Sequence, residues 1–185
     1  ASDVYKRQVV EEVDLPWNDR TKEAAGNNLV YMMGGGLGRL VSDDEELLND
    51  YVLEMISKSA TLTQENYFSS IKVAAEMYTA LGRVFEQYDA LICPTMAVPS
   101  IPAEGEKPYL ESLLTDSMTY PFNMLSRCPV LSIPTGFSGD NVPTGLQIVG
   151  QTFQDLDVLK IGANLERILD WCSGHRPLQK STYGE

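Results

Sequence analysis

Three short apolar runs constrain this chain more than any other feature. Ala90-Leu91-Ile92-Cys93, Val130-Leu131-Ser132-Ile133 and Leu146-Gln147-Ile148-Val149 are each bounded by Pro or Gly. All three read as strands. The first, apolar on both faces and stopped by Pro94, reads as a central, buried strand. Helical spacing fills the stretches around them. Ser42-Asp43-Asp44-Glu45 has the pattern of a capping box, and Leu47, Leu48, Tyr51, Val52, Met55 and Ile56 follow on one face. Thr63 caps a longer helix with Tyr67, Phe68, Ile71, Ala74, Ala75, Tyr78, Leu81, Phe85 and Tyr88 on its inner face. Residues 109–125 return to helical spacing, with Pro121 expected to end or kink the helix. Asp155 is expected to cap a last helix with Leu156, Leu159, Ala163, Leu165, Ile168 and Leu169 inside. Near the start, Val9 to Leu15 reads as a strand closed by Pro16, and Leu29 to Met33 as an apolar run broken by glycines. The class is α/β, in one domain without repeats.

Composition then removes whole functional classes. Apolar residues make up 43% of the 185, enough for a core that buries roughly 70% of the extended chain's surface without a staple. With 14 Lys+Arg against 26 Asp+Glu the net charge is −12, so a nucleic-acid partner is not expected. No run reaches the ~18 apolar residues of a membrane span, and no signal-peptide pattern is present. Cys93, Cys128 and Cys172 are odd in number and widely spaced, which suits a reducing, cytoplasmic compartment. They form no C-x-x-C pair, and His175 is the only histidine, so neither a metal site nor a bound cofactor is expected. His175 lies in Ser173-Gly174-His175-Arg176-Pro177, the exit from a helix into a tail, a poor place to hold a base rigidly.

Three local motifs fail on detail. Gly34-Gly35-Gly36-Leu37-Gly38 suggests a phosphate loop, but Val41 stands where a dinucleotide fingerprint needs glycine, and no Gly-Lys-Ser/Thr follows. A flexible or tightly packed turn is the better expectation. Ser69-Ser70-Ile71-Lys72 contains S-x-x-K, yet the accompanying Lys-Thr-Gly and Ser-Asp-Asn elements are missing. Asp43, Asp44, Glu45 and Glu46 could be imagined around a metal, but acids are expected anyway in a first helical turn. The residues by themselves offer no complete catalytic constellation.

The carboxyl-terminal blocks carry a resemblance. Tyr88-Asp89-Ala90-Leu91-Ile92-Cys93-Pro94-Thr95, Met118-Thr119-Tyr120-Pro121-Phe122-Asn123, residues 128–137 and residues 142–150 look like the C-terminal blocks of the amidase signature family, in order and spacing. Residues 9–17 resemble the strand and Pro-Trp that precede them. The resemblance covers about residues 9–172. It implies an α/β fold in which these strands form the C-terminal part of a mixed sheet flanked by helices. It also implies hydrolysis of carbon–nitrogen amide bonds through an acyl-enzyme. In the family a serine attacks, a second serine relays the proton and a lysine is the base. That serine block and lysine lie upstream of everything in this chain, whose only Ser-Ser pair is Ser69-Ser70. No catalytic residue is therefore assigned here.

The resemblance divides the chain into a poorly matching leader (1–8), the C-terminal part of an amidase domain (9–172) and a tail (173–185). The loop after Pro94 and residues 117–123 are the expected pocket wall. Asp116 matches an aspartate that holds the substrate amino group in the glutamine-using subunit of glutamyl-tRNA(Gln)/aspartyl-tRNA(Asn) amidotransferase. Thr119 follows in the same block. Tyr31 aligns where that enzyme has a carboxylate-binding arginine, which favours a general amidase. The implied partners are a small-molecule amide and the missing N-terminal part of the protein, with a homodimer as a further option. The amidotransferase is the alternative enzyme, and a non-enzymatic ligand- or protein-binding module the third reading.

Overall fold

The computed structural model describes residues 9–40, 46, 48–101, 109–139 and 141–169. The Ser42–Glu45 capping box, the acidic run 43–45, Leu47, Cys172 and His175 lie outside these residues. Residues 9–18 join neither a helix nor a strand ladder among the described residues, so the strand expected there is not formed. Trp17 N donates to Leu15 O at 2.7 Å, turning the chain into its first helix, and Tyr88 OH donates to Glu11 Oε2. Asn18 caps helix α1 (Asp19–Leu29) by accepting from Arg20 N.

The glycine cluster does not break the chain. Helix α1 runs into a π-helical turn (Val30–Gly34) and then α2 (Gly35–Leu40). The reason is tertiary. A Cβ at Gly34 would lie 2.3 Å from Met55 O, on helix α3 (Asp50–Ser59), so glycine lets the two backbones touch. Helical propensity, low for glycine, yields to that contact.

Helix α4 (Gln64–Phe85) begins as expected: Thr63 Oγ1 accepts from Asn66 N at 3.2 Å, and Asn66 Oδ1 accepts from Thr63 N at 3.0 Å. Its buried face overlaps the expected one: Leu81 is buried and Ala74, Tyr78 and Phe85 pack against the core, joined by Ser70, Val73 and Met77, while Phe68, Ile71 and Ala75 are exposed. Strand β1 (Ala90–Pro94) follows. Residues 109–125 form two helices, α5 (Tyr109–Asp116) and α6 (Tyr120–Leu125), separated by Ser117–Thr119. Pro121 sits in the first turn of α6, where its missing N–H costs nothing, so it opens a helix instead of ending one.

Strands β2 (Val130–Phe137) and β3 (Pro143–Gly150) form a hairpin, longer than the apolar runs alone suggested. The sheet order is β1-β3-β2, and both pairings are antiparallel. The central strand is therefore β3. β1, expected to be central, is an edge strand in the described sheet, and its Ile92 is 44% exposed.

Alternation along β3 sends side chains into two cores. Val149 packs with Ala24, Val73, Met77, Leu81, Phe122 and Leu125 under α1, α4 and α6. Ile148 packs with Ile133 and Val158 under α7 (Asp155–Leu169). Burying Ile148 and Val149 completely contributes about 1.5–3 kcal/mol each. This is an α/β layer arrangement with helices on both faces. Of the face expected inward on helix α7, Leu165 does pack inward and the rest does not. Val158, Ile161, Gly162 and Leu165 meet the sheet, whereas Leu156, Leu159, Ala163, Ile168 and Leu169 are exposed. Asp155 is its first residue and not its cap, favourable there to the helix dipole. Among the described residues no helix is long and apolar enough to cross a membrane.

Candidate functional site

Beyond Pro94 the chain keeps close to the sheet. Thr95 N and Thr95 Oγ1 both donate to Gly145 O, at 3.0 and 3.1 Å. A Cβ at position 145 would sit 2.7 Å from Thr95 Oγ1, so this approach requires glycine. On the other side Met118 N donates to Thr95 O at 2.9 Å and Ala97 N to Asp116 O at 2.8 Å, with Met96 and Ser117 forming an antiparallel bridge. The two loops expected to wall a pocket are thus laced together. Residues 102–108 of the first loop lie outside the described residues.

The break between α5 and α6 brings Asp116 and Thr119 into one segment. Ser112 Oγ donates to Asp116 Oδ2 at 2.7 Å and Thr115 Oγ1 to Asp116 Oδ1 at 3.0 Å. Asp116 is the last residue of its helix, where the dipole opposes a carboxylate by about 0.3–1 kcal/mol. Those hydroxyl donors offset that opposition and fix the carboxylate's direction. The Thr119 hydroxyl lies 3.1 Å from Ser117 Oγ. Tyr31 belongs to a different cluster: its ring stacks on Tyr67 of α4, with centroids 4.1 Å apart. Of the three residues singled out from sequence, Asp116 and Thr119 flank the short break between α5 and α6, each hydrogen-bonded to its own neighbours, and Tyr31 lies elsewhere.

Under this segment lies Gln147, 1% exposed on the central strand. Its Nε2 donates to Pro94 O at 3.0 Å and to Met118 O at 2.7 Å. Sequence reasoning did not single it out. The available signal was a polar side chain inside an otherwise apolar strand, since a buried amide must find partners.

An open groove of about 1480 Å³ runs beside β1. Residues 9–13 line it, together with Ser117, Met118 and Phe122. Trp17 also lines it and meets Phe122 edge-on at 5.4 Å. The indole Nε1 of Trp17 is buried without a hydrogen-bond partner among the described residues. Burial pushes the Cys93 thiol, on β1, above its ordinary range, although a hydrogen bond with Gln147 acts the other way. Burial raises Cys128 as well. Both thiols are protonated at neutral pH and poorly suited to nucleophilic attack. Tyr120 is raised by burial and, less, by the charge of Asp19. The S-x-x-K serine and lysine, Ser69 and Lys72, are exposed in mid-helix, and neighbouring Ser70 donates to Asn66 O at 2.9 Å. No group of three His, Cys, Asp or Glu side chains converges among the described residues.

Comparison with known proteins places this geometry in a family. Residues 38–159, well over half of the chain, match the family described as Amidase. The acylamidase of Rhodococcus erythropolis is 30% identical over 131 residues, covering 67% of this chain and 27% of that protein. A glutamyl-tRNA(Gln) amidotransferase subunit of Synechococcus sp. (strain JA-3-3Ab) is 36% identical over 112 residues, covering 60% of this chain and 22% of that protein. A crystal structure of an amidase superposes with a TM-score of 0.76 at 26% identity, over 90% of this chain and 39% of that one. The chain spans roughly a quarter of the length of these sequence relatives. On these matches, the chain belongs to the amidase family.

Proposed function

We propose that this chain is the C-terminal portion of an enzyme that hydrolyses carbon–nitrogen amide bonds through an acyl-enzyme, with the reactive serines and lysine carried by another part of the polypeptide. The observation that carries this reading is the extent of the match. Nine tenths of this chain superposes on an amidase, yet it accounts for only 39% of that chain. Surfaces without cover support it. Ile92 stands exposed on the open edge of β1, Leu156 and Leu159 of α7 are 70% and 54% exposed, and the Trp17 indole N–H lacks an acceptor among the described residues. An open strand edge and unsatisfied polar atoms are costly unless paired. The rest of the same protein is the partner this reading assigns to them, ahead of a second copy.

In this reading residues 9–172 form the C-terminal part of the amidase domain. Asp116 and Thr119 are assigned to the substrate-binding wall, on the segment whose Ser117 and Met118 line the groove, and the carboxylate is the acceptor for a polar group of a small-molecule amide. Cys93 and Cys128, both free, suit a reducing, cytoplasmic setting. The glutamyl-tRNA(Gln) amidotransferase is the second reading, favoured by the 36% identical relative. Tyr31 speaks against it. An uncharged ring stacked on Tyr67 cannot offer a carboxylate the paired N–H donors of an arginine. The test is amide turnover by residues 1–185 and by the complete protein, each with a chromogenic anilide. Turnover by the complete protein alone is expected, and turnover by the 185-residue chain would overturn the proposal.

A further inference from the structure

Gln147 has a contact pattern that packing alone does not require. It occupies the middle of β3, between Cys93 of β1 and Ser132 of β2 in register. Its two neighbours along the strand, Leu146 and Ile148, are apolar. A buried amide in such a strand costs stability unless its donors are used, and here one nitrogen serves two carbonyls. Pro94 O is the last acceptor of β1, and Met118 O immediately precedes Thr119. The side chain therefore ties the end of the edge strand to the break between α5 and α6. The two backbone bonds between residues 95–97 and 116–118 lie alongside. Only a side chain of this length with two N–H donors on one nitrogen spans both carbonyls neutrally. A methionine fills the volume and donates nothing; a glutamate presents oxygens to two carbonyl oxygens.

We infer that Gln147 is a positioning residue for substrate recognition: by bridging Pro94 O and Met118 O it sets the height and orientation of the Asp116–Thr119 wall. The inference rests on the proposed reading of that wall as part of the amide pocket. Gln147 touches no substrate in this scheme. Its loss lets Met118 and Thr119 drift from the strand while the hairpin, held by its own ladder, stays in place.

The experiment uses the complete enzyme and compares Gln147→Met, Gln147→Glu and Thr119→Ala, with a chromogenic anilide as substrate. For both Gln147 variants KM is expected to rise about tenfold, the cost of misplacing one or two substrate hydrogen bonds, while kcat changes less than about threefold. Amide hydrogen exchange should quicken at Ala97 and Met118, with β2–β3 unchanged. A Thr119→Ala enzyme with raised KM, beside Gln147 variants with normal KM, would overturn the inference and leave the pocket reading standing. Normal KM in all three, despite faster exchange at Met118, would overturn both. Equal loss of kcat and protein across the Gln147 variants, with exchange quickened throughout the hairpin, would make Gln147 a general core residue and also overturn the inference.

Discussion

Substituting the glycines of the π-helical region one at a time should give effects of opposite sign a single residue apart. In Gly34→Ala the new Cβ would meet Met55 O at 2.3 Å, the Met55 carbonyl carbon at 2.8 Å and Ser59 Cβ at 2.9 Å. Two of these atoms are backbone and cannot rotate away. Reaching the 3.4 Å of ordinary contact needs about 1 Å of retreat by α3. Overpacking of this kind costs about 1–3 kcal/mol, against roughly 0.5–1 kcal/mol gained by replacing a helical glycine with alanine. Gly34→Ala should therefore be destabilising by up to about 2.5 kcal/mol, with a midpoint of about 1 kcal/mol. At Gly35 and Gly36 an added Cβ meets no atom within 4 Å, so Gly35→Ala and Gly36→Ala should gain the helical term of ~0.5–1 kcal/mol. Urea denaturation of the three variants in one background reads the difference as midpoint shifts of opposite sign at unchanged slope. If Gly34→Ala is as stable as Gly35→Ala, the glycines do not serve a helix contact, and the explanation of the cluster is wrong.

Two further outcomes follow from the core and the thiols. Leu81→Ala removes a side chain with no exposure from the main cluster and should cost ~2–5 kcal/mol in the same denaturation assay; a loss below about 1 kcal/mol would mean the cluster is loosely packed. Cys93 and Cys128, raised above the ordinary 9.0 by burial, should alkylate with iodoacetamide at pH 8.5 more slowly in the native protein than after denaturation. The folded state holds the thiol proton more tightly, so stability from these groups is intact below the unfolded value and is lost as pH rises above it. Native thiols that react as fast as denatured ones would refute the burial.

What was legible in the sequence was local. The three strands announce themselves because apolar runs between Pro and Gly have few alternatives, and Thr63 marks its helix because the cap needs only Asn66 nearby. Which face of a helix is inward is a tertiary matter. Helix α4 carries apolar residues on two sides, and packing against α1, α6 and the sheet chooses Val73 and Met77 over Phe68 and Ile71. Gly34 looked like a breaker because its partner, Met55, is distant in sequence. Pro121 satisfies both an ending and a beginning, and the break at Ser117–Thr119 decides between them. In the candidate site, Asp116 and Thr119 were reachable through resemblance, whereas Gln147 depends on two carbonyls supplied by other segments. The resemblance pointed to Tyr31 as well, and the structure gives it a neighbour, Tyr67, that no local pattern could name.

The division of labour proposed for this protein can be tested directly by mapping the acylated residue. The complete enzyme is treated with a slow-turnover activated aryl ester, quenched, digested and analysed by peptide mass spectrometry. The adduct is predicted on a serine outside residues 1–185, with every peptide of this chain unmodified. An acyl group on Ser69, Ser70 or any other residue of this chain would contradict the account.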